Sequence, residues 1–229
     1  MSELAAQLAI LAHEAEGRKL FKRYERLFDL ENSDVEGVYG WQRDFHNAGK
    51  DNRERALIAA NRVGKTCTAA CELACHLIGW YPDWWEGKRF TTPIEAWTGC
   101  ETNELSRSVV QHALLGPSPS SGHYTGWIPE AAVRKVSWRQ AGVSEVVDTV
   151  TVKSLNGGTS RCTLKTYDQQ RKRWQGTSRH VIWGDEECGM DLYTEMITRV
   201  MDVDGIVMMT FTPMLGQSEV VNHFLEQSE

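Results

Sequence analysis

The residue types in this chain best suited to handling phosphate are a lysine, a threonine and a doubled acid, and they stand in two short strings. The first, Ala59-Ala60-Asn61-Arg62-Val63-Gly64-Lys65-Thr66, follows the apolar pair Leu57-Ile58 and runs into a helix-competent segment. A strand that turns sharply into a helix leaves backbone N–H groups unpaired in one concavity, where the helix dipole adds positive potential. Lys65 then supplies the charge that bridges β- and γ-phosphates, and Thr66 the hydroxyl that ligates Mg²⁺. On this reading Ala60, Asn61, Arg62, Val63, Gly64, Lys65, Thr66 and Cys67 cradle a nucleotide as a Walker A loop. The usual pattern opens with Gly where this chain has Ala59, a change compatible with a loop that enters without positive φ. The plainer alternative is an ordinary helix N-terminus.

The second string, His180-Val181-Ile182-Trp183-Gly184-Asp185-Glu186-Glu187, puts adjacent acids at the end of an apolar run, as a Walker B strand does. A nucleotide hydrolase needs one carboxylate for the metal shell and one to activate water; Asp185, at the strand end, suits the first and Glu186 the second. No NKxD segment for reading guanine occurs, so the acidic pair points to an ATPase. Alone, such a pair is as readily a solvated turn after a buried strand. A third run, Ile206-Val207-Met208-Met209-Thr210-Phe211-Thr212-Pro213, ends in two hydroxyls and a proline that stops it. In parallel sheets the ligand crevice lies beyond the carboxyl ends of the strands, which would bring Thr210 and Thr212 near the γ-phosphate as sensors of hydrolysis. Either threonine is otherwise simply a good strand former.

These strings need parallel strands whose carboxyl ends lie together, with helices between them. The expected fold is therefore α/β: a mostly parallel central sheet flanked by helices in three layers. Ile94 to Gly99 reads as a further strand and about Thr102 to Leu115 as a helix, followed by a Gly/Pro/Ser loop from Gly116 to Gly122 that offers a surface to DNA or a neighbouring subunit. Val146 to Lys153 alternates, and Asn156-Gly157-Gly158 turns it into Thr159 to Tyr167, a β-hairpin appended to the sheet. The aromatic loop Tyr81 to Gly87 packs on the core edge or meets a partner. At the N-terminus, Glu3 to Phe28 spaces Leu4, Leu8, Leu11, Leu20, Tyr24, Leu27 and Phe28 as an amphipathic helix, or as a helix pair broken near Gly17, that caps the sheet or docks on a partner. Residues 1–35 are taken as this helical segment and 36–229 as one nucleotide-binding domain.

Composition bounds the reading. With 229 residues, 41% of them apolar, the chain can bury a sizeable core. A formal charge of −6 argues against a protein coated in nucleic acid, while leaving room for a local basic surface. Six cysteines without a secretory leader indicate a reducing setting rather than a disulfide framework. Cys67, Cys71 and Cys75 recur at helical spacing after the loop and read as small buried hydrophobes, because no nearby pair completes a tetrahedral zinc site. None of the seven histidines is assigned a catalytic role. Glu14, Glu16, Arg18 and Lys19 interrupt the N-terminal apolar positions, so no membrane anchor is expected there.

On AANRVGKT, RKRWQGTSRHVIWGDEE and MMTFTP, in that order, the chain resembles the ATPase domain of the large terminase subunit of tailed bacteriophages, over nearly its whole length. The resemblance implies a P-loop NTPase of the ASCE, RecA-like type that uses ATP and Mg²⁺ to move double-stranded DNA into a procapsid. It also implies the portal protein and small terminase subunit as partners, a homo-oligomeric ring when assembled and a monomer in isolation, and a place in the host cytoplasm at the portal vertex. It gives Thr210 and Thr212 a coupling role and makes Trp41-Gln42 the adenine-reading element, with Gln42 presenting an amide that both donates and accepts. It further implies an arginine that stabilises charge on the transferring phosphate. Arg62 is the candidate within the loop; Arg171, Lys172 and Arg173 precede the acidic strand, and Arg173 is preferred for acting on a neighbouring subunit. The same basic cluster would serve equally for DNA phosphates. The family usually adds a nuclease domain, so the expectation here is a motor domain without DNA cleavage, with Asn222 to Glu229 the start of something further. A helicase-like translocase and an ATP-dependent assembly switch remain as alternatives.

Overall fold

A computed structural model of the chain describes residues 3–20, 39–117, 119–140, 142–169, 171–214 and 216–226. Two helices precede the sheet, α1 (Glu3–Leu20) and α2 (Gly40–Ala48). Strand β1 (Glu54–Ile58) leads through the phosphate-loop sequence into α3 (Lys65–Ile78) and then β2 (Glu95–Cys100). Next, α4 (Asn103–Leu105) continues through a π-helical turn (Ser106–Gln111) into α5 (His112–Leu115), with Thr102 Oγ1 capping the first turn through the Leu105 N–H. Strands β3 (Val133–Trp138), β4 (Val147–Lys153) and β5 (Thr159–Thr166) follow. The chain closes with β6 (Val181–Asp185), α6 (Met190–Met201), β7 (Ile206–Phe211) and α7 (Glu219–Glu226).

The strands form one sheet in the order β1-β7-β6-β2-β5-β4-β3. From β1 to β5 every neighbour is parallel, while β5, β4 and β3 pair antiparallel. The expected hairpin is thus present as β4 and β5, and it gains a third strand, β3, that the sequence reading left unassigned. Val133-Arg-Lys-Val-Ser-Trp alternates poorly, and two register shifts against β4 show why: local bulges displace the inward positions.

β6 and β7 are buried at every position, as continuous apolar runs in a parallel sheet covered on both faces should be. Strand alternation sorts their side chains. Val181, Trp183, Ile206 and Met208 enter the core shared with α3, whereas Ile182, Val207, Met209 and Phe211 join the core under α6 and α7. By the same period of two, Asp185 and Thr210 project to the α3 side at the carboxyl ends of their strands.

Helix α3 is the central helix on that side. Ala69, Ala70, Leu73, Ala74, Cys75, Leu77 and Ile78 are 0% exposed, and these mostly small apolar residues let the helix lie close on the sheet. It stops at Gly79, whose φ of 74° gives the left-handed turn that returns its N–H to the Cys75 carbonyl at 2.8 Å.

Several expectations need correction. Helix α1 passes through Gly17 unbroken, and it does not cap the sheet: Leu4, Leu8 and Leu11 are exposed, and an ion pair from Glu16 to Lys153 ties it to β4. Cys71 and Cys75 are buried as expected, but Cys67 is exposed. Residues 222–226 belong to α7, which packs on α6 through Val220, Val221 and the Tyr193–Phe224 ring contact at 5.4 Å; 227–229 lie outside the described residues. The division expected near residue 35, with Tyr24, Leu27 and Phe28, also lies outside them. The aromatic loop takes the packing alternative, with Trp85 2% exposed. Among the described residues no helix is long and apolar enough to cross a membrane.

Leu73, fully enclosed between α3 and the sheet, tests this packing. Leu73→Ala is expected to cost about 2–5 kcal/mol, seen as a lower urea midpoint with an unchanged slope; a midpoint unmoved by the change would mean that α3 does not pack as described.

Candidate functional site

The loop between β1 and α3 changes hand twice, with Arg62 at φ 66° and Gly64 at φ 101°. Gly64 is the N-cap of α3 and makes no side-chain cap, and no acidic residue occupies the first helical turn. The leading N–H groups of a fourteen-residue helix are thus left to an external anion. Ala59 is not among the positive-φ residues, so the loop enters without the geometry that would demand glycine, as the sequence reading required.

Strand β7 lies between β1 and β6, with Thr210 opposite Leu57 on one side and Asp185 on the other. This order delivers two threonines between the loop and the acid. Lys65 Nζ donates to the carbonyls of Ala59 and Ala60 and to Thr212 Oγ1, each at 2.9 Å. Thr212 Oγ1 in turn lies 2.8 Å from Asn61 Oδ1 and 2.9 Å from the Ala59 carbonyl, one of which takes its proton.

A second chain of bonds converges on Asp185. Trp183 Nε1 donates to Thr210 Oγ1 at 2.8 Å, Thr210 donates to Asp185 Oδ1 at 2.7 Å, and Thr66 Oγ1 donates to the same oxygen at 3.0 Å. Burial pushes the Asp185 carboxyl up to about 6; the two hydroxyl donors pull against this, Glu186 beside it pushes further up, and Lys65 pulls down. Glu186 follows at φ 70°, a left-handed conformation unusual for glutamate. It is held from both sides: its N–H donates to the Thr210 carbonyl at 2.8 Å, and Tyr167 OH lies 3.0 Å from its carbonyl and 3.1 Å from that of Asp185.

The Thr66 hydroxyl and the Asp185 carboxylate are hard oxygen donors side by side, suited to a small divalent cation that draws its other ligands from phosphate and water. Among the described residues no group of three or more His, Cys, Asp or Glu side chains forms a metal cage. A cavity of about 500 Å³ opens beside Thr66 and Cys67, lined also by Ser108, His112, Thr125 and Trp127.

Gln42, on α2, stands close by: its Nε2 donates to Thr68 Oγ1 at 2.7 Å, its Oε1 accepts from the Tyr39 N–H at 3.1 Å, and its Nε2 lies 3.4 Å from where a Cβ on Gly64 would stand. Trp41 stacks on Tyr39, with nearly parallel rings 6.2 Å apart.

The arginines are not gathered at the loop. Arg62 is exposed on it. Arg173 lies on the 3₁₀ turn Arg171–Trp174, where its carbonyl accepts from Lys165, a lysine set over the Trp97 ring at 4.2 Å; burial first, then Arg179 and Arg173, lower Lys165 to about 8. The side chains of Arg171 and Lys172 lie outside the described residues. Sequence reasoning missed Trp183 and Tyr167 as supports of the acidic pair. The aromatic spacing before Asp185 was visible, but which face each ring takes depends on strand pairing.

Residues 56–229 match the N-terminal region of the terminase large subunit, T4likevirus-type. The chain belongs to this terminase family. The large terminase subunit of Salmonella phage P22 is 37% identical to it over 209 residues, an alignment covering 82% of this chain and 41% of that protein. The chain therefore spans well under half the length of this curated relative. Among solved structures, the Thermus phage P74-26 large terminase ATPase domain superposes with a TM-score of 0.55 at 14% identity, covering 82% of this chain and 68% of that one. A mutant of the same domain gives 0.54 at 16%, covering 82% and 70%. These likenesses show a shared α/β fold. The terminase match begins within β1, so it takes in all three motif strings and leaves α1 and α2, with Trp41 and Gln42, outside.

Asp185 yields a prediction in nucleotide-free protein. Its folded-state pKa of about 6 exceeds the ordinary carboxyl value, so the stability it contributes is complete below about pH 4 and is lost as pH rises through 6. Asp185→Asn keeps the acceptor oxygen and cannot ionise. Between pH 4 and 7 the wild type should lose on the order of 2–3 kcal/mol relative to this variant in urea unfolding; a constant difference would contradict the buried setting.

Proposed function

We propose that this chain is the ATP-hydrolysing motor part of a large terminase subunit, driving double-stranded DNA into a procapsid. The observation that carries the reading is the convergence of Lys65, Thr66, Asp185, Thr210 and Thr212 through direct hydrogen bonds, although 147 residues separate Lys65 from Thr212. Residues 36–229 are taken as the ATPase part and 1–35 as an N-terminal segment that includes α1.

In this reading the N–H groups of Ala60 to Cys67 cradle the phosphates of ATP. Lys65 exchanges its loop carbonyls for β- and γ-phosphate oxygens. Thr66 and Asp185 would hold Mg²⁺, which would supply Lewis-acid neutralisation of the triphosphate charge. Glu186 orients and deprotonates the attacking water from its fixed left-handed perch. Thr212 touches both Lys65 and Asn61, and Thr210 touches Asp185, so loss of the γ-phosphate changes the partners of β7 at its carboxyl end; that supports a coupling role for the pair. Gln42 reads adenine beside Gly64, with Trp41 at the rim. Arg62 acts within its own loop, and Arg173, exposed on its turn, serves a neighbouring subunit. The partners are the portal protein, the small subunit and further copies of the chain in a ring at the portal vertex, in the host cytoplasm.

Purified protein should hydrolyse ATP only with Mg²⁺ present. Glu186→Gln should lower kcat by about 10²–10⁴-fold while leaving nucleotide binding within a few fold, and Lys65→Ala should weaken binding itself. Unchanged turnover in Glu186→Gln would reject the assigned base; unchanged binding in Lys65→Ala would reject the phosphate loop.

A further inference from the structure

Glu72 is fully buried on α3, and its carboxylate is shared by groups from three elements. Arg55 of β1 donates from Nη2 to Oε1 at 2.5 Å and from Nη1 to Oε2 at 3.3 Å. His46 Nδ1 of α2 lies 2.7 Å from Oε2, and His76 Nε2, one turn further along α3, lies 3.3 Å from Oε1. Tyr81 OH accepts from the Phe90 N–H at 2.9 Å and so gives its proton to His76 Nδ1 at 3.0 Å, which leaves His76 Nε2–H facing Glu72. Arg55 also donates to the Phe45 carbonyl at 2.5 Å and sits 4.7 Å over the Phe45 ring.

An apolar cluster of like volume would join these elements at least as stably, because buried ions lose their hydration. What an ion cluster adds is register. Gln42 pairs with Thr68 and His46 pairs with Glu72; each pair is 26 residues apart, and the two pairs are one helical turn apart on both helices. Apolar faces tolerate sliding, whereas a hydrogen-bonded ion pair does not. Fixing the turn at His46 and Glu72 therefore fixes the turn at Gln42 and Thr68, where the Gln42 amide lies against the phosphate loop.

We propose that Arg55, Glu72 and His46 are positioning residues for base recognition: their cluster holds α2 in the register that sets the Gln42 amide beside Gly64 to read the edge of an adenine. This rests on the ATPase reading above. None of the three need touch the nucleotide; they act through Gln42.

The test uses the full chain, with equilibrium binding of a fluorescent ATP analogue and steady-state hydrolysis of ATP and GTP. His46→Ala should raise Kd and KM for ATP about tenfold, roughly the effect of one displaced hydrogen bond, with kcat within twofold and a matching fall in the preference for ATP over GTP. His46→Asn, whose side-chain amide stands near the place of Nδ1, should restore most of both. Gln42→Ala should show the same loss, and the double variant should be no worse than Gln42→Ala. Glu72→Gln risks unfolding, so the His46 pair carries the decision. A His46→Ala protein with a lower Tm but unaltered Kd and base preference, or losses that add in the double variant, would overturn the inference while leaving the ATPase reading intact. A wild-type chain that binds no nucleotide would overturn both.

Discussion

One carboxylate oxygen organises the site. Asp185 Oδ1 receives a hydroxyl from Thr66, at the head of the helix after the β1–α3 loop, and another from Thr210, on the strand beside it. The helix, β6 and β7 are thereby held at one point at the edge of the core. An acid so enclosed is tolerable only while its donors stay in place. The sheet guarantees this through strand order and side-chain parity: with β7 between β1 and β6, and Asp185 level with Thr210, the polar ends of the apolar strands β6 and β7 face the same helix. Displacing any of these strands by one residue would turn its polar end to the opposite face.

Much of this frame was legible from residue order. Apolar runs that end abruptly in Lys-Thr, Asp-Glu or Thr-Phe-Thr-Pro announce both a buried strand and the chemistry at its tip, and the Asn-Gly-Gly turn announces a hairpin without help from the rest of the fold. The missing parts are those that only tertiary packing decides. β3 hides behind two bulges. Glu72, read along the helix, is one acid among cysteines and alanines; helical spacing sets His76 one turn beyond it, but His46 and Arg55 lie too far away in sequence for any spacing rule to join them. The amphipathic pattern of α1 suggested a covered face, yet Leu4, Leu8 and Leu11 are exposed; periodicity shows that an apolar stripe exists and says nothing of what meets it.

The solved ATPase domain shares the fold at 14% identity. Such a likeness at so low an identity fits a design in which few positions are chemically fixed. A parallel sheet demands volume and branching in its centre, which many residues satisfy. The loop, the acidic strand end and the hydroxyl strand end demand particular atoms at particular strand positions.

Trp183 belongs to both worlds. Its ring fills the space between α3 and the sheet, and its indole N–H holds the Thr210 hydroxyl that in turn steadies Asp185. Most interior positions can drift among similar hydrophobes with only a packing penalty. Here a phenylalanine would fill much of the volume but drop the proton that orients the relay, so interior drift and chemistry cannot evolve independently at this residue.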